Sequence, residues 1–148
     1  MEFKKTKLEN VLTITPFVHE DFRGEYVETY NEKIYTQKIR ELTGKEVKFV
    51  QDDYSTSSKN VLRGIHGDDK TWKLIDCPMG RIYTVIVNCD KKSENFGKWE
   101  SFTISQENKK QILVPPKHGT SHLVLSEKAM FHYKQSTYYD PKNLVQFT

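Results

Sequence analysis

Cysteine is scarce in this chain, with two in 148 residues. Cys77 and Cys89 show no CxxC or metal-type spacing. A disulfide framework and a thiolate metal site are thereby excluded, and two buried free thiols are expected. Long apolar runs are missing too. No stretch approaches the ~20 apolar residues of a membrane-crossing helix. The charged opening from Met1 to Asn10 has no apolar h-region. A cytoplasmic protein with no membrane partner is the expectation. Charge of one sign is nowhere concentrated. The formal net charge is +3, and basic residues gather only in pairs such as Lys91-Lys92 and Lys109-Lys110. A nucleic-acid binder usually carries a basic stripe, so no nucleic-acid partner is expected. No repeat, low-complexity segment or linker divides the chain. Residues 1–148 are expected to form one domain, large enough to bury a core.

What the chain does have is aromatic and β-branched residues, including eight Tyr and eight Phe. That composition favours sheets. Strand-like runs cover Val11–Val18, Glu25–Tyr30, Val47–Tyr54, Val61–His66, Trp72–Cys77, Arg81–Cys89, Trp99–Ser105, Gln111–Val114, Ser121–Leu125 and Ala129–Thr137. Turn signals separate them, among them Asp21-Phe22-Arg23-Gly24, Ser57-Ser58-Lys59-Asn60 and Pro78-Met79-Gly80. The run Ile82–Val87 is apolar on both faces and is expected to lie between two layers. One substantial helix is expected from an Asn31 cap to about Leu42. Its Ile34, Ile39 and Leu42 share a side, and Gly44 is a stop. Many short strands mean an all-β sandwich or barrel. Periodicity alone admits a jelly roll and other sandwiches alike.

Several segments place polar groups where a strand should be apolar. Val61–Asp68 contains Arg63 and His66 with flanking Gly64 and Gly67, which would let a ligand approach the backbone. Alternation puts Lys73 on the face of Ile75, opposite Trp72 and Leu74. A lysine pointing into a barrel suits a developing oxyanion, and one on an edge strand discourages aggregation. Tyr133 shares a face with Ala129 and Phe131, while His132 and Lys134 share the other. It is either a core tyrosine or an acid facing a histidine. His118 and His122 could join His66 and Asp68 around a metal. The residue two after His66 is Asp68, so the paired HxH ligands of a metal cupin are lacking, and no metal or other cofactor is expected.

The order of these segments resembles one enzyme family. Asp21-Phe22-Arg23-Gly24-Glu25-Tyr26, Gln51-Asp52-Asp53-Tyr54-Ser55, Val61-Leu62-Arg63-Gly64-Ile65-His66 and Lys73-Leu74-Ile75 match its motifs in sequence. Asp90–Trp99, Ile104–Asn108 and Tyr133-Lys134 through Pro141 continue the match. The chain is therefore similar to the dTDP-4-dehydrorhamnose 3,5-epimerases. Its Gly-Ile-His-Gly-Asp wording is closer still to the capsular branch acting on GDP-linked 4-keto heptoses.

That resemblance implies a cupin jelly roll with one short helix, a metal-free site and a homodimer. The implied activity is inversion at C3, C5 or both of a nucleotide-linked 4-keto sugar, in the making of cell-surface polysaccharide sugars. His66 matches the general base, Tyr133 the general acid and Lys73 the lysine that stabilises the enolate. Arg63 matches a diphosphate-binding arginine, and Arg23 one that reaches the partner's site. Glu28, Gln51, Asp53, His122 and Tyr139 complete the implied substrate contacts. Asp53 stands where the family has Asn, and His122 lies two positions from the family's histidine. No residue matches the Asp that orients the base histidine; Asp68 and Asp76 are the candidates to replace it. The residues alone leave three other readings open: a 3,4-ketoisomerase, a metal-dependent cupin oxygenase and a non-catalytic sugar-nucleotide binder.

Overall fold

A computed structural model describes residues 1–143 and 145–146. Its strands are β1 (Glu2–Lys5), β2 (Leu12–Thr15), β3 (Val18–Asp21), β4 (Gly24–Val27), β5 (Gln51–Ser58), β6 (Leu62–Gly67) and β7 (Lys73–Met79). They continue with β8 (Arg81–Asn88), β9 (Trp99–Ser105), β10 (Gln111–Val114), β11 (His118–Val124), β12 (Lys128–Gln135) and β13 (Val145–Gln146). A six-stranded sheet runs β1-β2-β10-β7-β12-β5, and a five-stranded sheet runs β13-β6-β11-β8-β9. The sheets face each other as a cupin jelly roll. Residues from both fill the space between them, including Ile75, Ile82, Ile86, Ile104, Ile112 and Val124.

Helix α1 (Glu32–Thr43) follows from local chemistry. The Asn31 side chain accepts from Ile34 N at 3.1 Å and satisfies an orphan donor of the first turn. Gly44 takes φ 74° and its N–H bonds Arg40 O, the left-handed stop that glycine adopts without a Cβ penalty. The buried stripe is Tyr35 and Ile39, whereas Ile34 is 38% exposed. The expected Ile34 contact is thus replaced by Tyr35, one position along. α1 joins a second cluster with Leu12, Ile14, Leu74 and Leu113.

That helix also changes which strand lies deepest. β10 is buried at all four positions, with Ile112 and Val114 in the inter-sheet core and Leu113 in the helix-side cluster. β8 was the expected candidate, but it buries only alternate residues and leaves Tyr83 38% exposed. The two cysteines are free, Cys77 buried and Cys89 partly so.

The Val11–Val18 run splits at Pro16 into β2 and β3. β3 and β4 form a hairpin that pairs with no other strand among the described residues, closed by Phe22 and Arg23. It is tied down on one side, next to the tip, by Lys109 Nζ to Glu25 Oε2 at 2.7 Å. On the other, Gln111 Nε2 donates to Thr29 O at 2.7 Å, and the Tyr35 hydroxyl donates to Gln111 Oε1 at 2.7 Å.

Candidate active site

A cleft of about 490 Å³ opens between the two sheets. The six-stranded sheet contributes Lys73 from β7, Phe131, Tyr133 and Gln135 from β12, and Asp53 from β5. The facing sheet contributes Arg63 and His66 from β6 and Thr120 and His122 from β11. The segment 68–71 and residues 137–140 form the rim.

Period-two alternation accounts for most of this list. Lys73, Ile75 and Cys77 look inward on β7, and Phe131, Tyr133 and Gln135 do so on β12. Arg63 and His66 break the rule, because residues three apart on a regular strand point to opposite faces. The pairing of β6 with β11 explains them. Thr120 pairs with His66 but His122 pairs with Arg63, so two steps on β11 meet three on β6. The extra residue resets the phase of β6, as a bulge does, and both side chains enter the cleft.

Gly64 sits inside this irregularity with φ +124°. A Cβ there would lie 2.5 Å from Ser121 Cβ and 2.7 Å from Thr120 O. The glycine therefore serves the close approach of β11. Gly67, by contrast with the exposed Gly64, is buried.

Burial sets the electrostatics. Lys73 has its pKa lowered, chiefly by desolvation and against the pull of Asp68. Its Nζ lies 5.4 Å from the Tyr133 ring centroid. Tyr133 is pushed up, first by burial and then by the carboxylate of Asp53. The two residues are register partners across β12 and β5. His122 is 5% exposed and stacks on Phe131 with ring centroids 4.3 Å apart. Burial, then the charges of Arg63 and His66, bring it down to about 4, so it is neutral at pH 7. Arg63 Nε donates to Ser57 Oγ at 2.9 Å and bridges the mouth from one sheet to the other.

Of the residues singled out in the sequence, His66, Lys73, Tyr133, Asp53, Arg63, His122 and Tyr139 meet in the cleft. Gln51 stands behind it. Its Nε2 donates to Asp53 Oδ2 at 2.8 Å and its Oε1 accepts from Tyr139 N at 2.9 Å. Arg23 and Glu28 lie outside. Arg23 is at the hairpin tip, 77% exposed and paired with Asp21 at 2.6 Å, and Glu28 is exposed on the segment leaving the hairpin.

Neither candidate carboxylate replaces the missing orienter of His66. Asp68 accepts from Lys70 N, Thr71 N and Thr71 Oγ1, so it is spent on its own turn. Asp76 bonds His132 on the back of the six-stranded sheet. Thr120, Phe131 and Gln135 were not anticipated as wall residues, although the alternation that selected Tyr133 also selects Phe131 and Gln135. Among the described residues, no group of three or more His, Cys, Asp or Glu side chains could hold a metal ion. Among the described residues, no helix is long and apolar enough to cross a membrane.

With this geometry in place, comparison with known proteins is informative. Residues 5–147 match the family profile described as dTDP-4-dehydrorhamnose 3,5-epimerase. The enzyme of that name from Salmonella typhimurium is 41% identical over 142 residues, covering 94% of this chain and 75% of that protein. The crystal structure of the dTDP-4-dehydrorhamnose 3,5-epimerase of Elizabethkingia anophelis superposes with a TM-score of 0.87 at 41% identity, over 99% of this chain and 79% of that one. The dTDP-6-deoxy-D-glucose-3,5-epimerase of Legionella pneumophila, solved with dTDP-4-keto-L-rhamnose, gives 0.90 at 33% identity over 99% and 77%. These matches decide between the readings that the residues alone left open, in favour of the sugar-nucleotide epimerase. The chain belongs to the dTDP-4-dehydrorhamnose 3,5-epimerase family.

Proposed function

We propose that this sugar-nucleotide epimerase inverts its substrate by passing protons between the two walls of the cleft, with His66 as base and Tyr133 as acid. One observation carries the reading. His66 comes from β6 of the five-stranded sheet, whereas Tyr133 and Lys73 come from β12 and β7 of the six-stranded sheet. A sugar ring lying between the sheets then has a base on one face and an acid on the other.

The chemistry needs that arrangement. A ketone at C4 acidifies the protons on C3 and C5. His66 takes one of them and leaves an enolate. Tyr133 returns a proton from the opposite face, and the carbon is inverted. Negative charge gathers on O4 meanwhile. Lys73, desolvated and short of counter-charge, gains most when that oxyanion forms beside it. The raised pKa keeps the Tyr133 phenol protonated until it donates. His122 is neutral and able to hydrogen-bond sugar hydroxyls without adding charge. Arg63 is the cation for the diphosphate. Asp53, held by Gln51, reads sugar hydroxyls, and Tyr139 stands at the rim. One cupin domain, residues 1–148, performs this work in the cytoplasm, within cell-surface polysaccharide sugar synthesis.

Arg23 and Glu28 act across a homodimer. Phe22 at the hairpin tip is 98% exposed and Tyr26 is 72% exposed, on a hairpin that Lys109 pins at Glu25, next to the tip. A tethered hairpin with two exposed aromatic rings is suited to burial in a second copy. β5, which carries Gln51 and Asp53, is the edge of its sheet and offers a place for it. Closed two-fold dimers are the common outcome for such surfaces.

The test is incubation with a panel of dTDP- and GDP-linked 4-keto hexoses and heptoses in D2O, read by mass spectrometry. One deuterium in the product means one carbon inverted, and two mean both. No exchange with any member of the panel would overturn the reading.

A further inference from the structure

The back of the active sheet carries a second polar constellation that the reaction does not touch. Directly behind the cleft, His132 on β12 lies between Asp76 on β7 and Asp52 on β5. Its Nδ1 is 2.6 Å from Asp76 Oδ1, and its Nε2 is 3.5 Å from Asp52 Oδ2. Lys134 Nζ binds the same Asp52 at 2.9 and 3.1 Å and sits 4.8 Å from the Tyr30 ring centroid. These three strands are the ones whose front faces carry Lys73, Tyr133 and Asp53.

The position of the His132–Asp76 bond is informative. The β7–β12 ladder is irregular between Met130 and His132: Met130 pairs with Met79, but His132 pairs with Asp76. Two steps on β12 thus meet three on β7, next to Pro78, which has no N–H to give the ladder. Regular pairing resumes at His132 and Asp76 and continues through Tyr133 with Ile75 to Gln135 with Lys73. Side chains alternate faces, so a one-residue slip would swap Lys73 for Leu74 in the cleft. The outer ladders hold each strand from its far side, β7 by β10 through Ile75 with Ile112 and Lys73 with Val114, and β12 by β5 along its whole length. At the β7–β12 seam itself, the side-chain bond adds a lock where the ladder restarts.

We propose that His132 and Asp76 are positioning residues that lock the β7–β12 register and so hold Lys73 beside Tyr133. The inference rests on the catalytic reading of those two groups given above. The bond acts on kcat more than on binding, because Arg63 and His122 belong to the other sheet and Asp53 is set by the separate β12–β5 register, which does not involve β7.

The experiment compares wild type with Asp76→Ala, Asp76→Asn and His132→Leu. Asparagine keeps an acceptor for the imidazole N–H, alanine removes it, and leucine keeps bulk on the sheet while breaking the bond from the other side. Asp76→Ala and His132→Leu are expected to lower kcat by about tenfold with KM within about twofold, whereas Asp76→Asn stays near wild type. The second readout needs no substrate. After reductive ¹³C-methylation of lysines, the Lys73 signal, identified by its loss in Lys73→Arg, is shifted upfield by the Tyr133 ring. That shift collapses in Asp76→Ala and His132→Leu and persists in Asp76→Asn. If either bond-breaking variant folds and keeps both wild-type kcat and the shifted signal, the proposal is overturned. If the wild type turns over nothing, the catalytic reading fails instead, and the lysine signal still decides the register.

Discussion

Replacing Gly64 by alanine isolates the feature that brings Arg63 and His66 to one face. The new methyl would sit 2.5 Å from Ser121 Cβ, 2.6 Å from Ser121 Cα and 2.7 Å from Thr120 O. Carbon atoms prefer roughly 3.5–4.0 Å, and two of the three obstacles are backbone, so β6 and β11 must part. Overpacking of this kind costs about 1–3 kcal/mol. The φ of +124° adds strain of about 1–3 kcal/mol for any residue with a Cβ. A total of roughly 2–6 kcal/mol is a large share of the ~5–15 kcal/mol of a typical domain, and corresponds to a drop in Tm on the order of 10 °C. Gly24→Ala is the matched control. Its φ is +126° but nothing lies within 4 Å of the added Cβ. Thermal melts followed by circular dichroism should place Gly64→Ala well below Gly24→Ala, with kcat/KM falling as His66 shifts. Equal melting of the two variants would refute the close-approach argument, since both carry the conformational strain and only one carries the clash.

Further outcomes are expected at other points of the molecule. Turnover should survive EDTA; loss on chelation, restored by a transition metal, would revive the oxygenase reading. In the proposed dimer, mixing inactive His66→Asn with Arg23→Ala should restore about a quarter of wild-type activity, because half the dimers are mixed and each regains one whole site; no gain on mixing argues that sites are not shared. The depressed pKa of His122 predicts a stability cost in acid. The folded group titrates at about 4 and an unfolded histidine near ~6.5. The unfolded chain therefore binds the extra proton in this window, and stability falls as pH drops from about 6.5 to 4, by up to about 3 kcal/mol. His122→Gln should flatten that part of the Tm-versus-pH curve, and an unchanged slope would contradict it.

Features governed by local chemistry were legible in the sequence. Asn31 and Gly44 bound α1 because a cap and a left-handed stop are decided within a few residues. Lys73 and Tyr133 were placed on their correct faces because β7 and β12 alternate without interruption at those positions. Features set by pairing were not legible. β1, Glu-Phe-Lys-Lys, has no strand pattern and is a strand because β2 accepts it. That Arg63 and His66 share a face depends on a register shift against β11, which no spacing rule within β6 reveals. The depth of β10 depends on where α1 docks. The link between His132 and Asp76 spans 56 residues, a separation that hides it from any local window. The jelly roll was reached through resemblance, since alternation alone does not say which strands share a sheet.

The two-wall mechanism is tested most directly by separating proton removal from inversion. His66→Asn and Tyr133→Phe are assayed side by side with a substrate of the wild-type enzyme in D2O, counting deuterium in recovered substrate and in product. A positioned general base contributes about 10²–10⁴-fold, so His66→Asn should lose exchange and inversion together. Tyr133→Phe should keep exchange into recovered substrate while inverted product falls sharply. Wild-type exchange in His66→Asn, or wild-type inversion in Tyr133→Phe, would contradict the assignment of base and acid to opposite sheets.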